Sequence, residues 1–540
     1  MTPLSVPPLR SEVAITGAAD SVYYQALKAH DARFDGHFFV GVSSTRIYCR
    51  PVCRVKLPKF ENCRFFNHAA LAESAGYRPC LRCRPELAPS RLPWTTLDAS
   101  RTLALQAARW LDEPLAWHGQ GADPPDTKPT ISQLAAHLGV SDRHVRRLFE
   151  AQFGVSPLQY LQTRRLLTAK QLLTDTDMPI AQVALSSGFG SVRRFSAAFL
   201  EHYRLNPTQL RRSVKLVNGS PARPAAPSFC VVKLGYRPPY DSRWMLEFFR
   251  KRQVNAIEYV AIEANKLSAG WTLRLESGGK QVRGWVVAEF LPAQPTVLLQ
   301  VSDSLRDVLP QVIRQVRALL DLDADPLAIN AVLGRCFMPA QPLHPDLERP
   351  GPSYEGIRVP GCLNGFELAV RAILGQQVTV AAGRTFTQRV VDALGSPIET
   401  PFPLLTRLFP TPEALAQASG EELGRLGIVK QRQTAMVALA RAVADKQLHL
   451  HPSADVNATM TALRALPGVG DWTAQYIAMR ALRWPDAFVA GDVALHKAMG
   501  LQHLNPPLSP AKTAAAALAA SQVWRPWRSY AVMRAWTSLS

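Results

Sequence analysis

Five of the eight cysteines in this chain lie between Cys49 and Cys83, as two close pairs with one cysteine between them. The pairs are Cys49-x3-Cys53 and Cys80-x2-Cys83, and Cys63 lies in the intervening segment. Because each short pair places two sulfurs on one face of a turn, the spacing predicts a small domain folded around a tetrahedral zinc ion. The spacing leaves open whether the zinc is purely structural, the commoner use of four thiolates, or holds a reactive thiolate. We expect Cys63 to be a spare buried thiol, although its presence leaves the ligand set formally open.

The chain carries a strong positive charge, which favours a polyanionic partner. Its 62 Lys and Arg against 42 Asp and Glu give a formal net charge of +20 over 540 residues. Such an excess favours nucleic acid over a membrane surface. No run approaches the roughly 18 to 20 apolar residues of a membrane span, and residues 1–20 lack the pattern of a secretory signal. We therefore expect a cytoplasmic, nucleoid-associated protein with reduced cysteines, which binds double-stranded DNA and no membrane.

The residues around the cysteines form three longer motifs, Asp31–Phe39, Thr45–Cys53 and Gly76–Pro85. Through them the chain resembles, over about residues 20 to 88, the N-terminal domain of the Ada family of DNA-alkylation-repair proteins. The resemblance implies a single bound zinc ion and no organic cofactor. It implies as ligands the four paired cysteines, Cys49, Cys53, Cys80 and Cys83.

The resemblance also implies a reaction, in which Cys49 accepts a methyl group from a methylphosphotriester in the DNA backbone. A thiolate is the nucleophile for such a transfer, and zinc keeps a thiolate deprotonated at neutral pH. Methylation would make the site less negative and less repelled by phosphates, so the charge change could report damage. Residues 1–90 carry 12 basic and 7 acidic side chains. We expect Arg50, Arg78 and Arg84 to contact phosphates; the alternative is that they are merely solvated.

A duplicated helical motif begins at Ile131 and again at Ile180. In each copy a small alanine lets two helices approach and a glycine allows the turn between them. A serine then caps the second helix, Ser141 in the first copy and Ser191 in the second. The basic residues on these two second helices are Arg143, Arg146 and Arg147, and Arg193 and Arg194.

This repeat and the spacing of Phe195, Phe199, Tyr203 and Pro207 after Gly188 resemble the AraC-type DNA-binding domain, over about residues 97 to 213. The resemblance implies that the arginines of the second helices meet phosphates and base edges in the major groove. It also suggests RNA polymerase as a further partner. The alternative is a helical bundle with an ordinary solvated basic face.

The C-terminal half begins after a segment rich in proline and small residues, 214–228, which we interpret as a linker. Alternating β-type runs follow at Ala256–Ile262, Trp271–Leu275 and Thr296–Val301, with helical stretches near Ser242–Arg252 and Leu305–Leu320. This composition predicts a small α+β domain. From about residue 360 the pattern is almost entirely helical.

Within the helical region, Leu466–Ala474 has the pattern of a helix-hairpin-helix turn. Gly468 makes the hairpin, and Gly470 lets amides at a helix start, including that of Thr473, approach a DNA phosphate. The hairpin alone is a weak signal, but Asp492 follows Gly470 by 22 residues. Together they resemble the helix-hairpin-helix DNA glycosylases with their single catalytic aspartate.

Five further motifs extend the resemblance to the AlkA family of alkylpurine glycosylases over about residues 228 to 540. They are Pro238–Leu246, Leu333–Arg335, Arg358–Cys362, Phe366–Gln377 and Trp524–Tyr530. The resemblance implies that an everted, cationic alkylpurine enters an aromatic pocket, although each ring taken alone would more often fill a core. The pocket residues implied are Trp472, Tyr476, Trp536 and, more weakly, Phe248.

In this family pattern Asp492 is the catalytic carboxylate, which stabilises an oxocarbenium-like sugar or orients water. No lysine occupies the nucleophile position, so we expect a monofunctional hydrolase that leaves an abasic site. Gln377 stands where the family places an apolar wedge, and its role in the base stack is therefore open. We expect Asp471 and Asp486 to be solvated or capping residues.

These observations predict a multidomain α+β protein. Its parts are a zinc methyl-acceptor domain (1–90), an all-α double helix-turn-helix domain (97–213), a linker (214–228), a small α+β domain (229–345) and a mainly α helix-hairpin-helix glycosylase domain (346–540). We expect a monomeric repair protein that removes alkylated purines, accepts phosphotriester methyl groups and activates an alkylation response. The alternative is a regulator with a structural zinc and a degenerate glycosylase module. No Pro-Cys-His-Arg motif occurs, so we expect no alkylguanine methyltransferase domain.

Overall fold

The computed structural model describes residues 18–90, 99–112, 130–218, 229–264, 266–277, 280–334, 336–337, 354–503 and 509–539. The chain forms two compact units, residues 1–223 and 224–540. Positions 219–228 of the predicted linker lie outside the described residues. The predicted boundary between residues 345 and 346 also lies outside them.

The described part of the N-terminal unit begins with helix α1 (Ala18–Lys28), followed by a four-stranded sheet in the order β3-β1-β2-β4. Strand β1 pairs antiparallel with β2 and β3, and β2 pairs parallel with β4. The short helix α2 (Ala69–Ser74) lies between β3 and β4 in the chain. The strands are β1 (Phe39–Val42), β2 (Ile47–Cys49), β3 (Cys63–Phe66) and β4 (Arg78–Pro79).

Alternation along β1 and β2 divides the residues of this sheet between two hydrophobic clusters. Val40 and Cys49 belong to a cluster that includes Cys53 and Cys80. Phe39 and Tyr48 belong to a larger cluster that continues into the helices that follow. Because successive side chains of a strand point to opposite faces, the residues next to a cysteine in sequence pack against the helical part of the unit.

The helical part of the N-terminal unit contains both predicted copies of the helix-turn-helix. Ser141 accepts a hydrogen bond from the amide of His144, and Ser191 from that of Arg194, which confirms the two predicted caps. Gly139 and Gly188 have positive φ angles of 67° and 81° in the turns between helices. The helices are α3 (Ala99–Leu111), α4 (Ile131–Leu138), α5 (Asp142–Phe153), α6 (Pro157–Asp175), α7 (Ile180–Ser186), α8 (Val192–Tyr203) and α9 (Pro207–Asn218).

The described part of the C-terminal unit begins with an antiparallel sheet of five strands in the order β5-β9-β8-β7-β6. The predicted helix near Ser242–Arg252 is confirmed, whereas the predicted helix near Leu305–Leu320 is a 3-10 segment (Asp303–Val308) followed by an α-helix (Leu309–Leu319). The strands are β5 (Phe229–Gly235), β6 (Glu258–Ile262), β7 (Leu267–Ser277), β8 (Lys280–Phe290) and β9 (Thr296–Ser302), and the helices are α10 (Ser242–Arg252), α11 (Leu309–Leu319) and α12 (Pro326–Leu333).

The rest of the described part of this unit is mainly helical and includes a two-stranded ribbon of β10 (Ser396–Pro397) and β11 (Arg407–Leu408). None of the described helices of the protein combines the length and the apolar character that crossing a membrane requires. The helices of the region are α13 (Gly365–Leu374), α14 (Val380–Leu394), α15 (Pro412–Gln417), α16 (Gly420–Arg425), α17 (Lys430–Ala444), α18 (Val456–Ala465), α19 (Asp471–Arg480), α20 (Val493–Ala498), α21 (Pro510–Ala520) and α22 (Arg528–Thr537).

Candidate active site and candidate metal centre

Asp492 lies at the N-terminus of α20, where its Oδ1 accepts a hydrogen bond from the Leu495 amide at 2.7 Å. Two indoles hold the same carboxylate. Trp536 donates Nε1–H to Oδ1 at 2.9 Å, and Trp472 donates Nε1–H to Oδ2 at 3.1 Å. Asp492 is half-buried, so the carboxylate is neither sealed in the core nor freely mobile. The structure thus brings three predicted site residues into direct contact.

The aromatic rings around Asp492 form a half-buried cluster. Trp472 and Tyr476 are one turn apart on α19, and their rings stack with centroids 5.2 Å apart and planes 10° apart. Trp536, on α22, lies 6.3 Å from the Tyr476 ring. The rings offer stacking faces to a flat, cationic base next to a carboxylate that can stabilise a positively charged sugar.

An arginine-rich layer lies behind the rings. Arg480 donates to the hydroxyl oxygen of Tyr476 at 2.6 Å, and its guanidinium lies 5.0 Å from the Phe248 ring. Burial raises the pKa of Tyr476, but the charges of Arg480, Arg252 and Arg371 outweigh it and lower that pKa below its usual value. Phe248 is 7% exposed and is linked to the cluster through Arg480. Sequence reasoning missed Arg480 and Arg252, although each lies one helical turn after a predicted pocket residue.

The predicted hairpin connects α18 to α19. Gly468 has a φ of +76°, and a Cβ at Gly470 would meet no atom within 4 Å. The backbone at Gly470, directly before the first amides of α19, is therefore open on this side, as the approach of a phosphate requires. Thr473 is 2% exposed and its hydroxyl accepts a hydrogen bond from Gln376. The predicted DNA contact of Thr473 is consequently restricted to its backbone amide.

Two aspartates near the site differ in environment. Asp471 is exposed and pairs with Arg464, as expected for a solvated residue at a helix start. The prediction for Asp486 was wrong, because this residue is completely buried and paired with Arg525 and Arg528. Two guanidinium groups make up for the loss of hydration that burying a carboxylate entails.

The four paired cysteines converge in the N-terminal unit. Their Sγ atoms all lie within 4.8 Å of one another, close to the separation of about 3.8 Å expected for tetrahedral zinc thiolates. Cys49, Cys53 and Cys80 are buried, and Cys83 is partly exposed. The donor set is all sulfur, and the Arg50 amide donates a hydrogen bond to the Cys83 sulfur at 3.4 Å, which would orient that sulfur and stabilise its negative charge. The residues therefore fit a zinc ion.

Cys63 lies outside this cluster. Its thiol donates to the carbonyl oxygen of Lys59 at 3.3 Å, and the side chain is half-buried rather than buried. The four cysteines of the cluster are sufficient for a tetrahedral site without it.

Arg50 and Arg84, which were predicted to contact DNA phosphates, form ion pairs within the protein instead. Arg50 is 9% exposed, pairs with Asp35 and donates to the carbonyl oxygen of Cys83 at 3.0 Å. Arg84 pairs with Glu86 and Asp175. Both guanidinium groups are used inside the fold, so a role in phosphate binding is not favoured for either. Arg78 is half-buried, and Arg82, which sequence reasoning passed over, is exposed between two cysteines.

The strand and loop that carry the cysteines are joined to α6 by buried polar contacts. Tyr48 donates to one oxygen of Glu73 at 3.0 Å, and Thr163 on α6 donates to the other at 2.7 Å. Lys170, also on α6, pairs with Glu86, and both side chains are 1% exposed. Tyr48, next to Cys49, and Glu86, three residues after Cys83, are thus connected to the helical part of the same unit.

The arginines of the predicted recognition helices are on the surface. On α5, Val145 and Phe149 face the core while the basic residues lie on the opposite side. On α8, Phe195 and Phe199 likewise face the core. The exposed arginines are Arg143, Arg146, Arg147, Arg193 and Arg194.

The comparisons with known families follow the same order along the chain. Residues 22–86 match the metal binding domain of Ada, and residues 134–213 match a helix-turn-helix domain. Residues 231–364 match the AlkA N-terminal domain, and residues 370–525 match the HhH-GPD superfamily of base excision DNA repair proteins. The fold and sites therefore define a multidomain protein with a metal-binding part, a DNA-binding part and a base excision repair part.

One relative matches almost the whole chain, and others match only one part of it. The chain is 36% identical over 521 residues to a probable bifunctional transcriptional activator/DNA repair enzyme AlkA of Mycobacterium tuberculosis, which covers 96% of each chain. It is 33% identical to DNA-3-methyladenine glycosylase 2 of Escherichia coli, over 56% of this chain and 95% of the relative. It is 31% identical to the bifunctional activator/repair enzyme Ada of the same bacterium, over 32% of this chain and 44% of the relative. The chain belongs to the AlkA family of bifunctional transcriptional activators and DNA repair enzymes.

Proposed function

We propose that the C-terminal unit is a DNA glycosylase that releases alkylated purines such as 3-methyladenine and 7-methylguanine from duplex DNA. The observation that supports this most directly is the half-buried Asp492 carboxylate, held by two indole donors inside an aromatic cluster. A lesion base carrying a positive charge would stack on the cluster formed by Trp472, Tyr476 and Trp536. The relationship to a DNA-3-methyladenine glycosylase supports the same lesion class.

In this mechanism the N-glycosidic bond breaks, and its electron pair leaves with the alkylpurine. The sugar develops positive charge at C1′, which the Asp492 carboxylate stabilises; a water molecule then bonds to C1′ and releases one proton to solvent. The indole donors of Trp472 and Trp536 fix both carboxylate oxygens, so little reorganisation is needed as charge develops. Because the nucleophile is water, the product is an abasic site in an uncut strand.

We propose a second, single-use reaction at Cys49. The thiolate sulfur attacks the methyl carbon of a methylphosphotriester, the carbon–oxygen bond breaks, and the phosphodiester leaves as an anion while Cys49 becomes S-methylcysteine. Zinc held by Cys49, Cys53, Cys80 and Cys83 would keep the sulfur ionised at neutral pH. The convergence of the four sulfurs and the match to the Ada metal binding domain support this reaction.

The remaining parts of the proposal concern regulation. We propose that the exposed arginines of α5 and α8 bind promoter DNA in the major groove, that methylation of Cys49 strengthens this binding, and that the bound protein recruits RNA polymerase. We also propose a monomer with a single zinc ion per chain. We further propose that the chain is organised into four domains, at residues 1–90, 97–213, 229–345 and 346–540.

A base-release assay tests the glycosylase. Wild-type protein should release free 3-methyladenine from alkylated duplex, and Asp492→Asn should lose release while it retains DNA binding. A wild-type protein that binds DNA and releases no base would instead favour the alternative, a regulator with a degenerate glycosylase module.

Intact-mass analysis tests the methyl transfer. After incubation with DNA that carries methylphosphotriesters, the chain should gain one methyl group, and peptide mapping should place it on Cys49. Cys83 is more exposed than Cys49, so the position of the methyl group decides which of the two cysteines is the acceptor. An adduct on Cys83 would contradict the assignment, and the absence of any adduct would leave the zinc purely structural.

A further inference from the structure

One side chain connects the turn between α13 and α14, residues 375–379, to the predicted DNA-binding hairpin. Gln376 donates through Nε2 to the carbonyl oxygen of Gly468 at 3.0 Å and to Oγ1 of Thr473 at 2.9 Å. Gly468 lies within the hairpin, and Thr473 lies in the first turn of α19. A single amide group therefore bridges both sides of the hairpin.

The same residue is held on its backbone as well. Its carbonyl oxygen accepts a hydrogen bond from Arg432 on α17, and its amide donates to the carbonyl oxygen of Ile373 at 3.2 Å. Helix α14 also packs tightly on this turn, because a Cβ at Gly383 would lie only 3.2 Å from the Cα of Gly375. Gln376 is thus held by contacts from three separate parts of the unit.

The next residue, Gln377, differs from Gln376 in exposure and in backbone conformation. Its side chain is exposed, and its φ of +52° lies in the left-handed region that a residue with a Cβ rarely adopts. Such a conformation persists only where the surrounding contacts hold it. The contacts of Gln376 and the packing of Gly375 on Gly383 hold the two residues directly before Gln377.

We infer that Gln376 is a positioning residue for base eversion, which keeps Gln377 at a fixed place relative to the hairpin and the pocket. This inference rests on the proposed glycosylase function. Helix α19 carries the hairpin amides and the pocket ring of Trp472 in its first turn, and the pocket ring of Tyr476 one turn further on. Through Gln376 the residue that would fill the gap in the base stack is joined to that same helix. Flipping a base out of a duplex requires this gap to be filled in register with the pocket.

The inference predicts a defect that depends on base pairing. Gln376→Leu removes both donated hydrogen bonds at similar volume. It should slow single-turnover release of 7-methylguanine from a fully paired duplex by about tenfold. Release of the same lesion from a single-nucleotide bulge, where the base is already unpaired, should stay within about twofold of wild type. Gln447→Leu, an exposed control on the same unit, should match wild type on both substrates.

Equal slowing on both substrates would assign Gln376 a merely structural role, and no slowing on either would also overturn the inference. A wild-type protein that released no base from either substrate would instead refute the proposed function, so the two failures are distinguishable. Thr473→Val provides a second variant that keeps shape and removes one acceptor. It should show the same selective loss, of about threefold; a loss without selectivity would count against the inference.

Discussion

Trp536 donates its indole N–H to Oδ1 of Asp492 at 2.9 Å, although the two residues lie on different helices and 44 positions apart. Trp536→Phe keeps a ring in the cluster and removes this donor. We expect base release to slow by about tenfold or more, because a hydrogen bond to a charged group is lost at the reacting carboxylate. Single-turnover release measures the effect. Duplex affinity serves as the control and should be unchanged; a variant as fast as wild type would mean that the indole only packs.

The four-sulfur cluster should bind metal independently of Cys63. Cys80→Ser should lower the zinc content from one ion per chain to near zero, because one of four ligands is lost. Cys63→Ser should retain the ion, since the Cys63 thiol donates to a backbone carbonyl outside the cluster. Metal analysis of the purified full chain decides the matter. Loss of zinc from the Cys63→Ser variant would show that Cys63 is a zinc ligand.

The buried pair of Lys170 and Glu86 should matter for the stability of the N-terminal unit. Lys170→Met removes one of the partners of a carboxylate that is 1% exposed. We expect a loss of about 3 kcal/mol in the free energy of unfolding, because the buried charge loses compensation. Lys170→Met combined with Glu86→Gln should recover part of this loss.

The control for that measurement is Lys59→Met. Lys59 pairs with Glu61 at 3.6 Å, but both side chains are highly exposed, and such pairs contribute little. Urea denaturation of the full chains gives the comparison. If both lysine variants unfold at the same urea concentration as wild type, the buried pair does not stabilise the unit.

His68 should make the N-terminal unit sensitive to acid. Burial lowers the pKa of His68 from 6.5 to about 4, although the carbonyl oxygen of Phe153 acts in the opposite direction. Its Nδ1 accepts from the Leu71 amide and its Nε2 lies 2.6 Å from that carbonyl, so the neutral ring satisfies both contacts. Between pH 6.5 and 4 the unfolded chain binds more protons than the folded one. The contribution of His68 to stability is therefore complete above pH 6.5 and is lost as the pH falls towards 4.

Calorimetry of the full chain at several pH values checks this prediction. The transition of the N-terminal unit is the one that metal chelation shifts. In His68→Asn, which can still cap α2 and has no group that titrates in this range, that transition should shift less than in wild type between pH 6.5 and 4. An identical pH dependence in the two proteins would show that His68 is not the cause.

Features that depend on neighbours in the chain were predictable from the residues. The spacing of Cys49, Cys53, Cys80 and Cys83 indicated a metal cluster, and the serines at positions 141 and 191 indicated helix starts. The hairpin glycines were predictable for the same reason, because a positive φ or an uncovered helix start is a property of a few consecutive residues.

The burial of a side chain, and its pairing with residues distant in the sequence, could not be predicted from local sequence patterns. Asp486 and Asp492 look alike in the sequence, yet two arginines from around position 527 enclose the first, and two indoles hold the second at a partly open surface. The sequence likewise predicted that Arg50 contacts DNA, whereas in the folded protein Arg50 pairs with Asp35. Local patterns determine caps, turns and ligand spacing, because their energies arise within a few residues. The environment of a charge depends on which remote segments fold over it, and that is settled only when the whole chain packs.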